Sequence, residues 1–413
     1  MTRIRYPQGC ASESEVPELA FPSDYAWIVN LHNGYVNRNN QTNHNNVRAV
    51  RAGECQAAVS FRSLHSAWAR ARKGKKPSPD QLGFDAYWID GLIDLQRELS
   101  AGTWAPGEPT CFIATSPKAR EIHAPPFADR VVHHWLVPQL EAIYERSFIH
   151  DSFSNRAGKG THAAVDRCRS FIRQVHSGQG GGWYLQLDIR NFFNSIHRPT
   201  LYAMLKERMQ RHGLPLVVRR ATHALLRQSP VAGGVHFVGT EAERSQVPAH
   251  KRLENAAPGC GIAIGNLSSQ FFANVYLDAL DQFVKHELRA PRYLRYVDDM
   301  VLIHRDREQL QAWQARIQTF LRERLRLDLK ADIKLKPLSA GCDFLGYVIY
   351  PTHSVVRRRV IGHARQKLRT ARGEVLRSIW ASYRGHFHHA NSRRLLERFH
   401  SEFPHLKDIC ING

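Results

Sequence analysis

R-Y-V-D-D-M-V-L-I, residues 295–303, sets two adjacent aspartates between two short apolar runs, Tyr293 to Val297 and Met300 to Ile303. The pattern reads as a β-hairpin with Asp298 and Asp299 at its tip. Neighbouring carboxylates repel, so a chain that keeps them together calls for a cation nearby. Upstream, W-Y-L-Q-L-D-I (183–189) alternates as a half-buried strand should, and Asp188 falls at its end. If the hairpin lies beside that strand in one antiparallel sheet, three carboxylates converge on one edge. Such a hard-oxygen cluster suits Mg²⁺, which prefers to bridge carboxylates to phosphates. Two ions about 3.5–4 Å apart can activate an attacking hydroxyl and stabilise a leaving oxygen. A lone Asp-Asp in a turn would say little, because turns favour aspartate anyway.

The composition narrows the partner. A chain of 413 residues has room for two or three lobes with sizeable cores, and its formal charge is +21. That excess points to a polyanion, either nucleic acid or an anionic membrane surface. No stretch approaches 18 apolar residues, so no bilayer-spanning segment and no membrane partner are expected. The start, M-T-R-I-R-Y-P-Q-G-C, lacks the apolar core of a signal peptide, and a cytoplasmic location is expected. The seven cysteines (Cys10, Cys55, Cys111, Cys168, Cys260, Cys342, Cys410) form no C-x-x-C pair. They read as reduced thiols, neither a disulfide framework nor a zinc site. The 23 histidines include no H-E-x-x-H and read as solvated or phosphate-facing.

Residues 1–55 differ from the rest. W-I-V-N-L-H-N-G-Y-V-N-R-N-N-Q-T-N-H-N-N-V-R-A-V-R (27–51) is packed with asparagine, has little to bury and reads as a flexible arm. From Ala57 the pattern turns globular. Helices are expected over Ser60–Lys73, with Phe61, Leu64 and Trp68 on one face, and over Tyr87–Leu99 and Asp129–Ile143; K-G-K-K-P-S-P (73–79) breaks the first. C-F-I-A-T (111–115) reads as a strand, and a helix is expected near Pro199. A long helix follows over 268–288, capped by Ser268 or Ser269, then the hairpin, a helix over Glu308–Leu325 and strands through D-F-L-G-Y-V-I-Y (343–350). That order implies an α+β sheet domain. The last 63 residues carry thirteen Lys/Arg against four Asp/Glu, interleaved with Trp380, Tyr383, Phe387 and Phe399. Such a tail is either a solvated face over a core or a surface for a nucleic-acid backbone.

Taken together, Y-V-D-D in a hairpin and L-Q-L-D-I-R-N-F-F (185–193) upstream resemble the palm of a reverse transcriptase. The resemblance covers about residues 57–390 and is dense. It includes K-A-R-E-I (118–122) followed by D-R (129–130), F-S-N-R-A-G-K-G-T-H-A-A-V (153–165), I-G-N-L-S-S-Q-F-F-A-N (264–274) and D-F-L-G-Y (343–347). It implies a right-hand polymerase with fingers, a ferredoxin-like palm (an antiparallel sheet packed on helices) and a short helical thumb. The expected divisions are an arm over 1–55, fingers and palm over 56–350, and a basic thumb over 351–413. The implied activity is RNA-directed DNA polymerisation by two-metal nucleotidyl transfer with Mg²⁺, on template RNA, a cDNA primer and deoxynucleoside triphosphates.

Carried over by position, Asp188 and Asp298 match the principal metal ligands, Asp299 the third carboxylate, and Ile189 the backbone ligand. Phe193 matches the aromatic gate that clashes with a ribose 2′-hydroxyl. The backbone of Ile189, Arg190 and Asn191, with Phe192, matches the segment under the triphosphate. Lys118 and Arg120 match the phosphate clamp of the fingers, a role suited to the guanidinium fork. Ile264 and Gly265 match the residues beside the incoming base pair, and Phe344, Leu345, Gly346 and Tyr347 the primer grip. Relatives carry a lysine before the primer grip as a candidate proton donor to pyrophosphate. Here Lys330, Lys334 and Lys336 all qualify.

From the short stretch after the primer grip a thumb is expected, and neither RNase H nor an endonuclease. I-G-N-L-S-S-Q in place of the commoner Q-G-x-x-x-S-P resembles the enzymes of diversity-generating retroelements, which copy a template repeat with errors at adenines. That resemblance implies a small basic helical accessory protein and a bacterial or phage source. It also gives the asparagine arm a second reading, as a stretch encoded by an overlapping template repeat, because asparagine codons are adenine-rich. A phage-defence reverse transcriptase and a non-catalytic RNA-binding protein are the alternatives.

Overall fold

The computed structural model describes residues 59–74, 76–115, 118–177, 181–227 and 229–406, and the backbone of Tyr25–Asn30 and Tyr35–Asn40. Cys10, Cys55, Cys410 and most of the asparagine-rich arm lie outside the described residues. In chain order the strands are β1 (Tyr25–Asn30), β2 (Tyr35–Asn40), β3 (Thr110–Ala114), β4 (Arg120–Ala124), β5 (Trp183–Asp188), β6 (His236–Phe237), β7 (Tyr293–Tyr296), β8 (Asp299–His304), β9 (Lys334–Pro337), β10 (Cys342–Phe344), β11 (Tyr347–Ile349) and β12 (Ser354–Val356). The expectation of a flexible arm gave no sign that β1 and β2 pair as an antiparallel hairpin. The chain divides into two compact units, Met1–Ser147 with Phe193–Tyr276, and Phe148–Phe192 with Leu277–Gly413.

In the first unit, the helix Phe61–Arg72 begins where Ser60 accepts a hydrogen bond from the Ser63 amide, and it buries Leu64, Ala67, Trp68 and Ala71 at helical spacing. Trp68 stacks on Trp88, which opens the helix Trp88–Ala101. The break over 73–79 holds a further element: Ser78 caps a short helix, Pro79–Ala86, with Pro79 at its first position. The helix Phe127–Tyr144 is the hub, burying ten side chains against its neighbours. The same unit holds a three-stranded sheet in the order β4–β3–β6, antiparallel then parallel.

The helix expected over 268–288 starts one residue earlier, as Leu267–Gln282, and ends in a π turn over Phe283–Glu287. Ser268 and Ser269 are therefore buried inside its first turn and do not cap it. The apolar periodicity located the helix, but a cap differs from a first-turn residue by one position, which periodicity does not resolve.

The second unit is built on a four-stranded antiparallel sheet in the order β7–β8–β5–β9. Its first strand thus lies between the third and fourth, the order of a split βαββαβ unit. Tyr184, Val301 and Ile303 join one buried cluster with Ala164, Val165 and Phe171 of the helix Thr161–His176. Leu185, Leu187, Met300 and Leu302 alternate with them and are equally buried, so both faces of the two central strands are covered. The helix Arg307–Leu325, capped by Asp306, packs on β5 and β8. A second sheet, β10–β11–β12, leads into the helices Arg358–Thr370, Gly373–His388 and Arg393–Glu402. Trp380, Phe387 and Phe399 of these helices are buried in the same cluster as Tyr184 and Phe344. Trp380, Phe387 and Phe399 of the basic tail are thus core residues, Tyr383 packs against them partly buried, and among the described residues no Lys or Arg of the tail is buried. No helix among the described residues is long and apolar enough to cross a membrane.

Candidate active site

Register places the carboxylates. β5 and β8 pair with Asp188 opposite Asp299, and β7 and β8 pair with Tyr296 opposite Asp299, leaving Val297 and Asp298 as a two-residue loop. Val297 takes φ 56°, which a β-branched residue adopts only under strain. Buried Arg295 holds the turn: its Nη1 donates to the Val297 carbonyl at 2.9 Å. The guanidinium is in turn gripped by Asp281 through Nε and Nη2, at 2.9 and 2.6 Å, and bonds Ser152 Oγ at 3.1 Å. Both members of this ion pair are fully buried. The Tyr293 hydroxyl donates to the same Asp281 carboxylate at 2.7 Å.

Electrostatically the three carboxylates make a site short of positive charge. Burial, reinforced by Asp188, pushes the Asp298 carboxyl up to about 6. Burial pushes Asp299 up to about 7, against a hydrogen bond from Gln186 Nε2 at 3.0 Å that favours its ionised form. Asp188 Oδ1 is buried without a hydrogen-bond partner. Its Oδ2 is met by the Lys330 ammonium at 2.5 Å, and the Lys330 amide donates to the Asp188 carbonyl at 2.8 Å. An orphaned carboxylate oxygen beside two reluctant carboxyls fits a divalent cation, which would remove the repulsion and accept the unused lone pair. Of the three candidate lysines, Lys330 reaches the cluster; Lys334 lies on β9 and lowers the Asp299 carboxyl through space, and Lys336 is exposed.

The other predicted site residues fall into separate places. Ile189 is buried and bridges to Leu329; Arg190 donates through its amide to the Asp328 carbonyl at 2.8 Å; Asn191 takes φ 47° and Phe192 is buried. Phe193, five residues beyond Asp188, is half-buried, and its carbonyl accepts from the Ile262 amide at 3.0 Å. Lys118 and Arg120 are exposed, with Arg120 opening β4. The His123 amide donates to the Ile264 carbonyl at 3.0 Å. Gly265 has φ +114°, and a Cβ there would meet Ile122 Cγ2 at 2.9 Å, so both backbone and space demand glycine. Leu345 (φ 48°) and Gly346 (φ 91°) form the tight turn between β10 and β11. Phe344 and Tyr347 flank it and are buried, with the Tyr347 ring stacked on His386 and its hydroxyl donating to the His386 carbonyl at 2.9 Å. The turn itself is half-buried, and the Gly346 carbonyl accepts from the Arg357 amide at 2.9 Å.

Three contributors escaped sequence reasoning: Arg295, Asp281 and Gln186. Gln186 bridges from Asp299 to the Asp343 carbonyl, at 3.0 and 3.1 Å, tying the carboxylate edge to the β10–β11 turn. The available signal was polarity out of place, with Gln186 inside an apolar strand and Asp281 on a helix of apolar and aromatic residues.

A family model described as reverse transcriptase (RNA-dependent DNA polymerase) matches residues 114–349. Among curated proteins the chain is similar to an uncharacterized 91 kDa protein in the cob intron of Schizosaccharomyces pombe, 25% identical over 229 residues that cover 55% of this chain and 24% of that protein. It is also similar to the group II intron-encoded protein LtrA of Lactococcus lactis subsp. cremoris, 22% identical over 361 residues, 77% of this chain and 58% of that one. The chain thus spans about a quarter of the first relative and under two thirds of the second. Among solved structures, telomerase from Candida albicans in complex with a fragment of telomeric RNA aligns at a TM-score of 0.39 and 11% identity, covering 78% of this chain and 61% of that one. That score is too low to place residues by.

Proposed function

The chain belongs to the reverse transcriptase (RNA-dependent DNA polymerase) family, and from that premise we propose that it extends a DNA primer along an RNA template. The observation that carries the reading is the β5–β8 register, which sets Asp188 against Asp299 with Asp298 in the adjoining turn. Asp188, Asp298 and the Ile189 carbonyl would hold Mg²⁺, with Asp299 as the third carboxylate. Two bound ions would acidify the primer 3′-hydroxyl and take up charge on the departing pyrophosphate. Around them, Lys118 and Arg120 would clamp the triphosphate, over the backbone of Ile189 to Asn191 and beside Phe192. Phe193 would exclude a 2′-hydroxyl, and Ile264 and Gly265 would face the nascent base pair. The Leu345–Gly346 turn, braced by Phe344 and Tyr347, would hold the primer end. Lys330 is our choice for the proton donor to pyrophosphate, because its ammonium already lies on Asp188.

Primer extension on a defined RNA with Mg²⁺ and four deoxynucleotides tests this, with Asp298→Ala as control. Product from the native chain alone supports it. RNA binding without synthesis under any condition would leave a binding protein on a polymerase fold.

The same reading extends to the diversity-generating type. Ile264 in place of glutamine loosens control over the templating pair, and asparagine-rich 1–55 would be a translated template repeat preceding fingers and palm (56–350) and thumb (351–413). A small basic helical accessory protein would complete the enzyme, in a bacterial cytoplasm or a phage-infected cell. Sequencing the products decides: errors opposite template adenines support this type, and an even, low error rate moves the assignment to phage defence or another retroelement.

A further inference from the structure

A second cluster of donor groups lies in the β3–β4 sheet, with no part in the polymerase reading. Cys111 on β3 stands directly opposite His123 on β4, and Glu121 lies two residues before His123 on the same face. One donor atom from each lies within 4.8 Å of the other two. All three side chains are buried, at 0%, 1% and 4% exposure for Cys111, His123 and Glu121. Glu121 Oε2 accepts from the Leu253 amide at 2.6 Å, but Oε1 has no hydrogen-bond partner, and neither has Nδ1 of His123. His123 Nε2 lies 3.0 Å from Glu121 Oε2, and Cys111 also faces the Glu121 carboxylate, so the three donor groups already converge. Buried polar atoms left without a partner are costly, on the order of 1–3 kcal/mol each, and an ion shared by the three side chains would engage the Glu121 carboxylate and one ring nitrogen of His123.

We propose that Cys111, Glu121 and His123 bind a divalent transition-metal ion, with Zn²⁺ the best match. The donor set is sulfur, oxygen and nitrogen, which zinc accepts and Mg²⁺ does not. A thiolate, a carboxylate and a neutral imidazole together cancel a 2+ charge. The neighbouring Arg244 does not oppose the ion, because it is paired with Glu254 at 2.8 Å. Tetrahedral zinc with bonds of about 2.0–2.3 Å sets its ligand atoms roughly 3.3–3.8 Å apart, within reach of the spacing observed; water would take the fourth position. The ion would staple β3 to β4 on either side of the segment carrying Lys118 and Arg120, and fix the strand whose His123 amide holds Ile264. The inference stands on this geometry whatever template the chain copies. The cysteines escaped a zinc reading because the ligands meet through strand register, with no short Cys/His spacing to betray them.

The test is metal content of the full-length, tag-free chain after dialysis into chelator-treated buffer. About one zinc per chain is expected, falling at least fivefold in Cys111→Ser and in His123→Ala, and unchanged in Asp298→Ala. Circular dichroism confirms that each variant is folded. Cobalt added to zinc-stripped native chain should give a thiolate charge-transfer band that Cys111→Ser lacks, so a readout remains if His123→Ala does not fold. Native chain holding less than a tenth of an equivalent and showing no cobalt–thiolate band would overturn the proposal. So would zinc retained in both variants, which would place it on surface histidines.

Discussion

Asp281→Asn isolates what the buried ion pair does for the carboxylate turn. The substitution keeps shape but removes the charge opposite Arg295, whose guanidinium is fully buried and bonded to both Asp281 oxygens. Leaving a buried guanidinium uncompensated costs about 3–5 kcal/mol, because the ion has lost water and gained nothing in return. In urea that loss is a midpoint shift on the order of 1 M or more. Combining Asp281→Leu with Arg295→Met removes both charges and restores most of that stability, the shortfall being the partners lost by the Tyr293 and Ser152 hydroxyls and the Val297 carbonyl. Polymerisation should not recover with it. Without Arg295 Nη1, the Val297 carbonyl loses the donor that holds a strained φ beside Asp298. The double variant should therefore fold near native stability yet lose at least tenfold in kcat, with little change in KM for nucleotide. Denaturation followed by tryptophan fluorescence and steady-state primer extension read the two effects separately. A double variant of restored stability and native kcat would refute the positioning role, and Asp281→Asn melting with the native chain would refute the buried charge.

Other expectations follow from the same geometry. Protons compete with metal for Asp299, held near 7, and Asp298, held near 6. The apparent Mg²⁺ affinity should therefore fall about tenfold from pH 8 to pH 6 through Asp299 alone, and a magnesium requirement for primer extension that is flat over that range would count against it. Phe193→Ala should raise ribonucleotide incorporation relative to deoxynucleotide at least tenfold, measured as the ratio of kcat/KM; an unchanged ratio would remove the gate. Asp129 is buried beneath the Gly107 amide, and burial raises its carboxyl to about 6, above the unfolded value near 4. Its contribution to stability is present below pH 4 and lost as pH rises through 6, so Asp129→Asn should gain about 2–3 kcal/mol on the native chain between pH 4 and pH 8. Urea melts at the two pH values check the sign.

What the sequence revealed and what it hid separate along one physical line. Local patterns announce themselves: the Asp-Asp between two apolar runs, Asp188 at the end of an alternating strand, Ser60 before a helical stripe. Each is encoded within about ten residues, the range over which period and turn chemistry operate. The β5–β8 pairing could be stated as a condition because the three carboxylates make sense only if it holds. Arg295 and Asp281 are fourteen positions apart, on a strand and a helix, and no period links them. Gln186 joins Asp299 to the Asp343 carbonyl through folding alone. Phe344 and Tyr347 carry the opposite lesson: a motif named them, and their side chains are buried while the turn between them, Leu345 and Gly346, is half-buried. The polar groups that decide how rigidly this sheet edge is held are thus those whose partners are distant in the chain. Substitutions there should change turnover while all three aspartates stay in place.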